Sequence, residues 1–285
     1  MRRLYLQRRL LARWRRIEAG FNGHLPDTFR RTSDASRLAE YRRVIGLSAT
    51  RARQPGQRNR ACTSGRLKLQ LPQRTTTTPG EAIAVIGIAF GMSIVLSIQA
   101  VLANFPMQPF SDAGFLWTVM VEVVLAASAI LFLHTRGFAI STLLPVPSLM
   151  GSVVGVMLFL VAWVVGTLVY APFAIGQPVQ PIEIMVVEAN VSAPAVVLMA
   201  MINGTFEEVF LLGFLLRGLR GYGLSVALGA TLLVRLLCHL YQGPLGPIWV
   251  MAVGLTFAVY YMRSTRLWPP VFAHMLWDIV PFALS

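Results

Sequence analysis

The sequence predicts an all-α fold: a polytopic transmembrane bundle of about seven helices behind a disordered basic tail. Three observations predict it. Of the 285 residues, 55% are hydrophobic and only 13% charged, against roughly 25% charged in an average soluble domain. Apolar runs long enough to span a bilayer core of about 30 Å recur from residue 81 to the end. The charge is also split. Residues 1–80 hold 19 Arg and Lys against 4 Asp and Glu, whereas residues 81–285 hold 6 against 8. The net +13 therefore belongs to the tail.

Residues 1–79 form the first unit, rich in Arg, Thr, Gln and Gly and without an apolar run that could build a core. Near its start Leu6, Leu10, Trp14 and Ile17 share one helical face, flanked by Arg8, Arg9, Arg13, Arg15 and Arg16. A basic amphipathic helix over 3–18 would lie on an anionic membrane surface. Two other readings stay open: an Arg-rich transit peptide, or a mis-assigned start in a GC-rich genome. Cys62 and Cys238 have no metal-finger spacing and predict no disulfide.

Residues 80–285 form the membrane unit. Its segments are 81–103, ended by Phe105-Pro106, and 113–133, ended by His134-Thr-Arg-Gly137. A third, 149–171, follows the Pro145-Val-Pro147 turn. The remaining four are 192–217, 223–241, 246–262 and 267–284, the last three joined by short turns. Arg136, Arg217, Arg220, Arg263 and Arg266 all fall in even-numbered connections, and the odd-numbered ones hold no Lys or Arg. The positive-inside rule then puts the N-terminus in the cytoplasm and the C-terminus outside.

Few ionisable groups remain at membrane depth: Glu122, Glu207, Glu208, Arg235, His239, His274 and Asp278. Each costs at least about 2.5 kcal/mol on insertion scales, so adjacent Glu207 and Glu208 need a purpose. His274 and Asp278 share a helical face, as do Arg235 and His239. Glu207 and Glu208 point about 100° apart. One can face a reacting water while the other holds a histidine. A buried polar network that merely ties helices together is the competing reading. Arg235 needs a carboxylate partner, Glu208 first and Glu122 second. No phosphate-binding loop or dinucleotide fingerprint is present, and no nucleic-acid partner is expected.

Glu207-Glu208, His239 near the end of the next segment, and His274-x-x-x-Asp278 in the last resemble the CPBP intramembrane proteases. That family includes the type II CAAX prenyl endopeptidases and the bacterial Abi-domain proteins. Its usual motifs are Glu-Glu-x-x-x-Arg, Phe-x-x-x-His and His-x-x-x-Asn/Asp. The resemblance covers about 190–285 and departs twice: Leu212 stands where the motif has Arg, and Arg235 where it has Phe.

The resemblance implies a membrane-embedded protease, a hydrolase acting on a membrane-associated protein or peptide. Glu207 with His239 would activate water, and Glu208 and Arg235 would support. His274 and Asp278 would hold the oxyanion or help bind a metal. A divalent metal such as Zn, held by His239, His274, Glu208 and Asp278, stays open beside a metal-free glutamate mechanism. The expected location is a bacterial plasma membrane, multi-pass. The class-distinct alternative is a non-catalytic immunity or scaffold protein of the same fold, or a small transporter, although no repeat relates 80–170 to 190–285.

Overall fold

The computed structural model describes residues 74–284, and they are helical without a strand among them. The tail through residue 73, with the helix expected over 3–18, lies outside the described residues.

Helix α1 (Pro79–Leu102) begins at a capping box. Thr78 accepts from the Glu81 amide and the Glu81 carboxylate accepts from the Thr78 amide, so two amides left over at the helix start find partners. The same carboxylate pairs with Arg74 and lies 3.4 Å from Arg136. Helices α2 (Asp112–Thr135) and α3 (Leu149–Ala174) each start at a serine cap, Ser111 and Ser148. The short helix α4 (Pro181–Val187) follows, and then α5 (Ala193–Leu216). Helices α6 (Leu224–Cys238), α7 (Gly246–Ser264) and α8 (Trp268–Leu284) complete the bundle.

Each of the seven segments expected from the sequence is a helix here, and α4 is an addition within the connection expected over 177–188. By length and composition α1, α2, α3 and α5 can cross a membrane; α6 is a shorter apolar helix.

Helix α5 is the axis of the bundle: every residue from 206 to 216 is buried, both glutamates included. Around it α8 packs on α5 and α3, α3 on α7, and α2 on α5. Small residues permit the closest approaches. A Cβ on Gly204 would stand 3.1 Å from the Met275 amide nitrogen, so α5 and α8 touch beside His274. A Cβ on Gly155 would lie 2.9 Å from the Pro269 carbonyl, which brings α3 equally close to α8.

The two ends of the bundle differ in charge. At one end Arg74 bonds the Arg136 carbonyl, Thr77 bonds the Gly218 carbonyl, and Arg217 bonds the Thr142 carbonyl. The start of α1, the connection after α2 and the end of α5 therefore meet there, with their arginines. At the other end Asp112 accepts from the Ser192 amide at 2.7 Å and Asn190 bonds the Phe110 carbonyl.

Candidate functional site

Glu207 and Glu208 close the regular part of α5, and the next eight residues, Val209–Leu216, wind as a π-helix. Insertions of this wider winding are rare and recur at functional sites. All eight residues are apolar and buried, and the Thr231 hydroxyl of α6 reaches the Leu211 carbonyl of the segment at 3.4 Å.

Glu208 is fully buried, and its Oε1 receives two charge-assisted bonds. Arg235 Nη2 donates from α6 at 2.5 Å and His274 Nδ1 from α8 at 2.7 Å. Three helices are thus tied at one oxygen. Arg235 Nη1 lies 3.7 Å from Glu207 Oε2, so a single guanidinium faces both glutamates. Glu122 makes no ion pair with it. Arg235 fits because residue 254 is glycine: a Cβ there would fall 2.5 Å from the arginine Cδ.

Glu207 Oε1 lies 3.5 Å from His239 Nε2. Helix α6 ends at Cys238, so His239 sits at the helix cap and not inside a span reaching 241. Its Nδ1 bonds the Arg235 carbonyl at 2.8 Å. A carbonyl only accepts, so Nδ1 carries the proton there, and Nε2 is the nitrogen that faces Glu207. The turn after it is fixed by Ser97 of α1, whose hydroxyl accepts from the Tyr241 amide at 2.9 Å.

His274 Nε2 looks the other way, 3.8 Å from Asp278 Oδ1. Asp278 is in turn held by the Asn203 amide at 3.0 Å. Asn203 stands one turn before Glu207 and completes the polar cluster. It was missed in the sequence because only ionisable groups were weighed; its place in an apolar span, four residues before Glu207, was the available signal. Glu122 approaches from α2, within electrostatic reach of Glu207, Asp278 and His274.

All of the expected site residues, Glu207, Glu208, Arg235, His239, His274 and Asp278, therefore meet in one cluster. Oε2 of Glu207, of Glu208 and of Glu122 are buried without a hydrogen-bond partner. Buried polar atoms normally have partners. These carboxylate oxygens keep acceptor capacity that the protein itself does not fill.

A metal can be tested against this geometry. Ligand atoms of Glu207, Glu208 and His274 lie within 4.8 Å of one another, close enough to hold one ion. Two carboxylates and an imidazole are donors that zinc accepts. This group keeps Glu208 and His274 of the expected ligands, adds Glu207, and leaves out His239 and Asp278.

Residues 189–280 match the family described as type II CAAX prenyl endopeptidase Rce1-like, in agreement with the resemblance read from the motifs. The matched stretch carries every residue of the cluster except Glu122. No curated protein and no solved structure matches the chain.

Proposed function

We propose that this chain is a membrane-embedded endopeptidase of the CAAX-protease type. It crosses the membrane seven times and hydrolyses a peptide bond of a membrane-associated protein or peptide. The observation that carries the reading is the buried Glu207 carboxylate, with Arg235 Nη1 3.7 Å from one oxygen and His239 Nε2 3.5 Å from the other, a nitrogen that in this reading carries no proton. A water placed there meets two acceptors, the requirement for removing its proton.

In the proposed reaction Glu207 takes a proton from water as its oxygen attacks the scissile carbonyl. His239, locked by its bond to the Arg235 carbonyl, orients that water. The tetrahedral oxyanion needs a donor. His274 supplies it when doubly protonated: Nδ1 then stays on Glu208, and Nε2, 3.8 Å from Asp278, donates to the oxyanion. Glu207 returns the proton to the departing nitrogen as the carbon–nitrogen bond breaks. Glu208 and Arg235 act as positioning residues, holding His274 and Glu207. Asp278 fixes the orientation of the His274 ring from its Nε2 side.

The cluster holds three carboxylates and one guanidinium: Glu207 and Glu208 face Arg235, and Asp278 faces His274. That excess of negative charge at membrane depth is relieved by a protonated His274 or by a divalent ion. If an ion binds, Glu207, Glu208 and His274 hold it, and it would polarise the water and the carbonyl.

The test is cleavage of prenylated CAAX-terminated peptides in proteoliposomes. Glu207→Gln, Glu208→Gln, His239→Ala and His274→Ala should each abolish cleavage at normal abundance. If the variants cleave as the wild type does, the hydrolytic reading fails. If they all misfold instead, the cluster is a structural network.

A further inference from the structure

At the arginine-rich end of the bundle, away from the glutamates, a cavity of about 250 Å³ opens between three helix ends. Leu216, Arg217 and Arg220 line it from the end of α5, Leu224 from the start of α6, and Tyr261 and Met262 from the end of α7. It has room for several waters or a phosphate group.

The charge on its wall is uncompensated. Among the described residues no carboxylate pairs with Arg217 or Arg220. Arg217 is held in place: Nη1 donates to the Thr142 carbonyl at 3.2 Å, and Tyr261 lines the same cavity. Arg220 is exposed at the rim. The carbonyl ends of α5 and α7 contribute negative potential here and the start of α6 positive potential, so the arginine side chains supply the net positive charge.

The place of the cavity in the chain points to its ligand. Helix α5 is long and apolar enough to cross a membrane, and Arg217 follows its last residue, Leu216. The ends of membrane helices are where lipid phosphates lie. Leu224, half exposed, and the partly buried Met262 add apolar surface beside the charge, which suits acyl chains and not a free ion.

We propose that Arg217, Arg220 and Tyr261 bind the phosphate of an anionic phospholipid headgroup. Two guanidinium groups match its oxygens bidentately, and basic pockets between membrane helices are known to take such headgroups. This site is independent of the hydrolytic reading.

Native mass spectrometry of the full chain, exchanged into neutral detergent, reads it directly. Phosphatidylglycerol should remain bound to the wild type. Retention should fall about thirtyfold in Arg217→Gln/Arg220→Gln. Leu224→Trp, which fills the cavity and leaves both arginines, should lose it too. Arg263→Gln/Arg266→Gln, the same charge removed at the same end, should retain it. Equal retention by the Arg217/Arg220 variant overturns the proposal, as does equal loss from the Arg263/Arg266 control. Equal retention of phosphatidylcholine would also overturn it, and displacement by equimolar inorganic phosphate would make the site one for free anions.

Discussion

Replacing Arg235 by leucine removes the positive charge at the centre of the site. Its Nη2 is 2.5 Å from Glu208 Oε1 and its Nη1 3.7 Å from Glu207 Oε2, and the residue is 2% exposed. Two unit charges 4 Å apart attract by about 4 kcal/mol at an effective dielectric of 20. Breaking a buried pair from one side costs about 3–5 kcal/mol, because the remaining charge stays buried and uncompensated. Arg235→Leu should therefore lower stability by about that much in a denaturant titration of the detergent-solubilised protein, and cleavage should be lost. Adding Glu208→Gln to it removes the orphaned charge and should recover about 2 kcal/mol, a coupling only neighbours show. Leu212, fully buried one turn after Glu208, offers a second rescue: Arg235→Leu with Leu212→Arg should regain some cleavage. An Arg235→Leu variant as stable and active as the wild type would refute the reasoning. So would a double variant whose cost is the sum of the two singles.

Three further outcomes follow from the packing. Gly254→Val should cost about 1–3 kcal/mol, since its Cβ falls 2.5 Å from a side chain that cannot move away; a melting curve reads it. Removing residues 1–73 should leave folding and cleavage intact. Extending the deletion to residue 79 should lower the melting temperature, because Arg74 and the Thr78 cap are lost with it. Thr78→Ala alone should cost about 1 kcal/mol. Single cysteines within 177–188 and within 217–221 should label from opposite sides of the membrane; labelling from one side would refute the seven crossings.

Much of the bundle was legible because membrane helices announce themselves by length and apolarity. Glu207, Glu208, Arg235, His239, His274 and Asp278 were legible because an ionisable group in an apolar run is conspicuous. What stayed hidden depends on partners far away in sequence. Gly254 is one small residue in an apolar helix, and only the position of Arg235 on another helix gives it a purpose. The π-helix leaves no periodic trace, since every residue of Val209–Leu216 is apolar and buried. Helix α4 has a proline at its first turn and an apolar body, but seven residues are too few to stand out from a connection. His239 was expected inside a span reaching 241; the helix stops at Cys238, and the His239 ring is held by the Arg235 carbonyl of the last turn.

The central claim is that Glu207 removes the proton of the attacking water. A single turnover of a prenylated CAAX-terminated peptide in ¹⁸O-labelled water, read by mass spectrometry, tests it most directly. The account predicts one labelled oxygen in the new carboxylate of the product, and no product from folded Glu207→Gln. An unlabelled product from the first turnover, or an unchanged rate in Glu207→Gln, would contradict it.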